Sequence, residues 1–269
     1  MNTTTSTSAS DTKSGPSILK NIRRFFEDVY DVFSFIVRFF KEAFVPPYEF
    51  KELMKQCWEV GVRSFLLITV TGFIVGLIFT KQSRPSLLQF GATSWIPSLV
   101  SIALMRALAP LVTALISAGR VGSSIGAELG SMRVTEQIDA MEVSGTRPFN
   151  FLVCVRTLAT TISIPILAIY NGFVAMLGGY VNVLTNEGTS FSTYIQQFFQ
   201  PLGFIDFTSS IIKSLIFGFT IGIVGSYKGW NSSSGTAGVG KAANSAVVTA
   251  MFLVFIEEVI IVQITGWFR

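Results

Sequence analysis

Between Ile18 and Val45 large apolar residues are interrupted every few positions by Lys, Arg, Asp or Glu (ILKNIRRFFEDVYDVFSFIVRFFKEAFV). This amphipathic pattern, with basic and aromatic residues together, predicts a helix lying in a membrane interface. It suits a spanning helix poorly, because Arg23, Arg24, Glu27, Asp28, Asp31 and Arg38 would all enter hydrocarbon. Pro46 and Pro47 end the element. Downstream the chain turns almost wholly apolar over about 59–80, 96–118, 150–178, 207–227 and 241–264, the last opening with small residues. Each stretch reaches the roughly 20 residues that a spanning helix needs. Pro97, Pro110 and Pro165 lie in or at the ends of these stretches, where neighbouring helices in a bundle satisfy the carbonyls that proline frees. Within the connection 179–206, FSTYIQQFFQ suits a short surface helix.

The pattern predicts an all-α integral membrane protein. A Ser- and Thr-rich tail over 1–17 is too polar to order itself, and it lacks the short apolar core of a signal peptide. An interfacial helix over 18–45 and a five-span domain over 46–269 follow. Composition agrees: half of the residues are hydrophobic and 13% are charged, against the roughly 25% charged of a soluble domain. Histidine is absent, and Cys57 and Cys154 share no ligand spacing, which argues against metal sites, catalytic triads and a disulfide framework. The formal net charge of +4 comes without a basic, aromatic-interleaved stripe, so no nucleic-acid partner is expected.

The basic residues set an orientation. With the N-terminus inside, the cytoplasmic side receives nine Lys or Arg up to Arg63, four from Arg120 to Arg156, and Lys228 and Lys241; the outside receives Lys81, Arg84 and Arg269. Fifteen against three predicts a cytoplasmic N-terminus and, after five spans, an external C-terminus. Trp58, Trp95 and Trp267 fall near the edges of spans, where aromatic rings anchor.

Between spans 2 and 3, Gly119–Pro148 (GRVGSSIGAELGSMRVTEQIDAMEVSGTRP) is long for a helix connection and mixes Met132, Val134, Ile138, Met141 and Val143 with charges of both signs. Such a surface expects a partner. Four charges lie where lipid should be: Arg106, Lys213, Glu257 and Glu258, all roughly 10 to 15 Å below the outer surface at about 1.5 Å per residue. Glu257 and Glu258 point about 100° apart, so one can pair with Lys213 on the neighbouring span while the other faces elsewhere. Gly72 and Gly76 form a G-x-x-x-G that serves equally for a dimer interface or for packing inside one subunit. Gly235–Ala242 (GTAGVGKA) lacks both the hydroxyl and the preceding strand of a phosphate loop, and reads as a flexible turn of small residues.

The run A-E-L-G-x-M-R-V-T-E-Q-I-D-A-M with the preceding G-R-x-G-S is similar to the signature of the MlaE family of permeases, membrane subunits of MCE-type ABC transporters. The resemblance covers about residues 50–265 and includes G-F-I-V-G of the first span, L-x-R-x-L-x-P of the second and I-K-S of the fourth. Where the family commonly has Glu after the arginine of the second span, this chain has Ala107, and where it has Pro before the arginine of the third, this chain has Val155. The resemblance implies a multi-pass bacterial inner-membrane permease without a catalytic or metal site. Its partners would be a second copy of itself, a cytoplasmic ABC ATPase that binds the ATP and Mg, and a periplasmic ring of MCE-domain protein. The substrate would be phospholipid or a similar lipid. It also implies that 120–147 couples to the ATPase through a helix carrying Glu128, Met132, Arg133, Glu136, Asp139 and Glu142. Arg106, freed of its neighbouring acid, would meet a lipid headgroup in a cavity walled by Phe73, Leu77 and Phe252. The alternative is an ion-coupled secondary transporter, against which the chain shows no duplicated halves.

Overall fold

The computed structural model describes residues 17–46, 49–233 and 235–267. The expected tail lies outside them except for Ser17, which opens the first helix, and Pro47 and Arg269 lie outside as well. In order the elements are α1 (Ser17–Ala43), α2 (Phe50–Gln89), α3 (Thr93–Val134), α4 (Gln137–Val143), α5 (Phe149–Glu187), α6 (Phe191–Phe199), α7 (Phe204–Trp230) and α8 (Thr236–Trp267). No strand occurs among the described residues. Five helices, α2, α3, α5, α7 and α8, are long and apolar enough to cross a membrane.

All five outrun their apolar cores. Lys, Glu, Arg and Gln are good helix formers, so the helix continues where hydrophobicity stops. The segment after Gly119 is therefore not a loop at first: α3 runs on to Val134. The expected turn over 235–242 is also helix, because Gly235 at φ +87° makes the corner and α8 begins at Thr236.

Burial ranks the helices. In its most apolar window α5 is 72% buried, whereas α2 is 22% and α8 17% buried, so α5 is the axis and the other two are peripheral. Small residues set the spacing. A Cβ at Gly76 would collide with the Ala175 backbone, at Gly72 with Asn171, and at Gly178 with the Phe73 backbone, so α2 and α5 touch main chain to main chain. The G-x-x-x-G thus packs within one subunit.

Three apolar clusters hold the bundle. One, around Ile96, Val100, Leu104, Met176, Tyr194 and Phe198, lies at the end that α6 covers. Tyr194 Oη donates to the Met176 carbonyl at 3.2 Å, and burial pushes its pKa well above the usual phenol value. The second, with Val60, Ile125, Leu129, Ile138 and Leu152, lies at the opposite end beneath α4. The third joins α1 to the bundle: Phe35 meets Phe149 edge-on at 5.0 Å, and the Arg38 guanidinium sits 4.1 Å from the centroid of the same ring. One face of α1 is thereby docked, while Phe26, Tyr30 and Phe33 on another face are 65%, 70% and 64% exposed.

Candidate functional site

The geometry begins with an irregularity inside α3. At Leu104–Leu108 the helix widens into a π turn, in which the Ala109 amide bonds to the Leu104 carbonyl five residues back. Further π turns occupy Ala118–Gly122 in α3 and Phe149–Cys154 at the start of α5. Such turns insert a residue and re-aim the side chains around them. Arg106 sits in the first and Arg120 in the second, where its Nη1 donates to Ser64 Oγ at 2.7 Å.

Arg106 does not lack an acid. Its Nε lies 2.8 Å from Asp206 Oδ1 and its Nη2 donates to Oδ2 at 3.0 Å, so the expectation of an unpaired guanidinium is corrected: an acid 100 positions away replaces the adjacent one. Asp206 is held by the backbone, because its Oδ2 also accepts the Gly203 amide at 2.9 Å at the start of α7. Its side chain is 5% exposed, whereas that of Arg106 keeps 29%. A guanidinium has five N–H donors. Nη2 donates to Asp206, Nε lies within ion-pair distance of Oδ1, and the guanidinium keeps part of its surface open.

One helical layer on, the Lys213 Nζ donates to Glu258 Oε1 at 2.7 Å and to the Arg106 carbonyl at 3.1 Å, tying α7 to α8 and to the π turn. Glu257 faces elsewhere and accepts from Thr220 Oγ1 at 2.5 Å. Oε2 of both glutamates is buried without a partner, which leaves acceptor capacity in the layer. Arg106, Lys213, Glu257 and Glu258 are thus neighbours along α3, α7 and α8. Phe73, Leu77 and Phe252 do not join them: Phe73 on α2 and Phe252 on α8 point outward at 37% and 64% exposure, and Leu77 is half-buried.

At the opposite end the segment Glu128–Glu142 is two helices, not one. The chain reverses at Glu136, whose φ of 57° is left-handed, and α4 begins at Gln137. The turn brings Ile138 to complete burial under Leu129 and Leu152, with Met132 and Met141 beside it. Arg133 and Asp139 close the hairpin at 2.6 Å, and Glu136, Glu142 and the 91%-exposed Val143 stay in solvent. Glu128 faces inward as well as outward: its Oε1 lies 2.7 Å from Arg156 Nη2, and Arg156 Nη1 donates to the Leu152 carbonyl at 3.0 Å. Arg156, counted from sequence with the basic residues of the cytoplasmic side though inside the 150–178 stretch, is 5% exposed within α5.

Asp206 and Arg156 are the candidate-site residues that sequence reading missed. The available signal was a lone charge at the start of an apolar run in the first case and seven residues inside one in the second. A third, Asn171, carries no such signal; it is 2% exposed and donates to the Ala109 carbonyl at 3.1 Å and to Thr113 Oγ1 at 3.0 Å, satisfying backbone below the π turn.

The model of the family described as Permease MlaE matches residues 53–264. A "Probable ABC transporter permease protein" of Rickettsia typhi is 35% identical over 236 residues, 88% of this chain and 90% of the relative. Similarly named proteins of Synechocystis and of Pyropia yezoensis are 37% identical over 77% of this chain and 79% of theirs, and 32% identical over 78% and 80%. With the signature on the α3–α4 hairpin and five membrane-length helices around it, the chain belongs to the MlaE permease family and is a multi-pass membrane permease subunit of an ABC transporter.

Proposed function

We propose that two copies of this chain form the membrane core of a transporter in the bacterial inner membrane that moves phospholipid or a similar lipid to or from a periplasmic ring of MCE-domain protein. ATP and Mg are bound by the ATPase partner that an ABC permease requires. The observation that carries the lipid reading is Arg106: a guanidinium anchored by Asp206 yet 29% exposed, amid apolar helices. A positioned fork of donors suits a phosphate ester, and the outward apolar faces of α2 and α8, with Phe73, Leu77 and Phe252, supply chain-compatible walls once a second copy closes them. The ATPase seat is the α3–α4 hairpin, and the fifteen-to-three bias of basic residues supports placing it, with the N-terminus, in the cytoplasm and the C-terminus in the periplasm. Membership of an ABC permease family displaces the ion-coupled alternative.

The test is reconstitution of the permease with its ATPase in proteoliposomes carrying a fluorescent phospholipid. ATP-dependent movement of the lipid is expected. Arg106→Gln should slow it at least about tenfold, the worth of one charge-assisted hydrogen bond, while keeping the ATPase bound. Arg133→Glu with Asp139→Lys, by contrast, should release the ATPase. Lipid movement that does not depend on ATP, or that is unchanged in Arg106→Gln, overturns the corresponding part of the reading.

A further inference from the structure

Away from the Arg106 layer, two cavities meet where α1 ends, α2 begins and α5 takes root. The first, of about 390 Å³, has walls that include Phe40, Phe44, Phe50, Leu53, Leu158 and Phe219 and is almost purely apolar. The second, of about 440 Å³, includes Met141, Thr146, Arg147 and Phe151. Glu49 and Asn150 belong to the walls of both. Asn150 is fixed there, because its Nδ2 donates to the Glu42 carbonyl at 2.7 Å and to that of Val45 at 3.4 Å, pinning the end of α1 to the π turn of α5. Each volume falls in the range of about 300–1,000 Å³ typical of small-molecule sites, and neither would take a whole protein helix, about 10–12 Å across.

The charges at the junction select the occupant. Glu49 and Arg147, opposite in sign and lining the same cavity, have no side-chain ion partner among the described residues. Arg38 and Glu42 nearby already neutralise each other at 2.7 Å. An amphiphile carrying both a phosphate ester and a primary ammonium satisfies this pair: the phosphate takes the planar fork of Arg147, the ammonium takes the Glu49 carboxylate, and an acyl chain fills the apolar cavity. The chain would enter past Phe40 of α1 and Phe44 just beyond it, which are 51% and 73% exposed. An anionic lipid without an ammonium would place its phosphate on Arg147 but bring no cation to the Glu49 carboxylate beside it. We propose that this junction is a binding site for a zwitterionic aminophospholipid drawn from the leaflet on the α4 side, and that the bound lipid fastens α1 to α2 and α5. The inference does not depend on which lipid the transporter moves.

The probe is an equimolar mixture of phosphatidylethanolamine and phosphatidylglycerol. The full-length permease, delipidated and then equilibrated with these lipids in detergent micelles, is analysed by native mass spectrometry. In parallel, a phosphatidylethanolamine bearing a diazirine on one acyl chain is photolysed and the labelled peptides are mapped. One retained phosphatidylethanolamine per chain is expected, favoured over phosphatidylglycerol by about tenfold, with label on the segments containing Phe40 and Leu158. Glu49→Gln should erase the preference without erasing binding, and Arg147→Gln should lower occupancy by about tenfold for both lipids. Both positions are exposed, so neither change threatens folding. The proposal is overturned by equal retention of the two lipids in the unaltered protein, by an unchanged preference in Glu49→Gln, or by label confined to other helices.

Discussion

Replacing Gly76 by alanine tests how α2 and α5 are held together. An added Cβ would lie 2.6 Å from the Ala175 carbonyl carbon and 2.9 Å from its Cα, and closer still to its oxygen. Carbon atoms in contact prefer about 3.5–4.0 Å, so α5 must withdraw by roughly 1 Å, and no side chain can rotate to absorb it. Overpacking of this kind costs about 3 kcal/mol, the upper end of its usual range. Alanine returns about 1 kcal/mol as the better helix former, so the net loss is about 2 kcal/mol. Gly61 lies on the same helix with nothing within 4 Å of its added Cβ, and there alanine should gain about 1 kcal/mol. The same chemical change thus splits by about 3 kcal/mol between two positions fifteen residues apart. Thermal unfolding in detergent, followed by loss of the monodisperse peak in size-exclusion chromatography at two protein concentrations, reads the difference. Equal stability of Gly76→Ala and Gly61→Ala would refute the backbone contact. A loss that grows on dilution would move Gly76 to an interface between copies.

Lys213→Met should destabilise the protein by about 3 kcal/mol, because Glu258 is left buried and unpaired, and Lys213→Met with Glu258→Gln should recover most of it; a double variant no more stable than the single one in denaturant titration refutes the pair. For topology, a cysteine at Ser192, exposed on α6, should react with an impermeant maleimide on intact cells, whereas one at Ser131, exposed on the tail of α3, should react only after the inner face is opened; the reverse order refutes the orientation. Since the Tyr194 pKa is raised in the folded state, its contribution is fully present below the unfolded value of about 10 and is lost as pH rises above it. Tyr194→Phe should therefore lower stability at neutral pH by about 1 kcal/mol, the worth of its hydrogen bond to Met176, yet flatten the alkaline decline seen in a pH series of unfolding curves.

Much of this architecture is legible in sequence because lipid makes hydrophobic runs long and unambiguous. The five spans and the interfacial pattern of α1 come from that alone, as does the nearness of Lys213 to an acid one helix away. What escapes has a common physical origin. Asp206 is 100 residues from Arg106, and only the folded side-by-side pairing of α3 with α7, which run in the same direction, brings a helix-start carboxylate to an arginine inside a span. The π turns leave the apolar pattern intact while changing which way Arg106 and Arg120 point. The break at Glu136 occurs at a residue type with ordinary helix propensity, so burial of Ile138 decides it, not local preference. Arg156 reads as cytoplasmic because a charge near the end of an apolar run normally marks the water boundary, and its partner Glu128 lies on another helix.

The length of α3 has a mechanical meaning. Its 42 residues make a rod of roughly 63 Å at 1.5 Å per residue, about twice the hydrocarbon thickness of a bilayer. It is clamped at two stations, Asp206 against Arg106 near one end and Arg156 against Glu128 near the other. Between the clamps lies the π turn Ala118–Gly122, and the upper clamp itself grips the π turn Leu104–Leu108. A beam fixed at two points and softened at its joints does not slide when loaded at its free end. If an ATPase seats on the hairpin as proposed, force applied beyond Val134 would be expected to bend the rod at these wide turns and so to change the aim of Arg106.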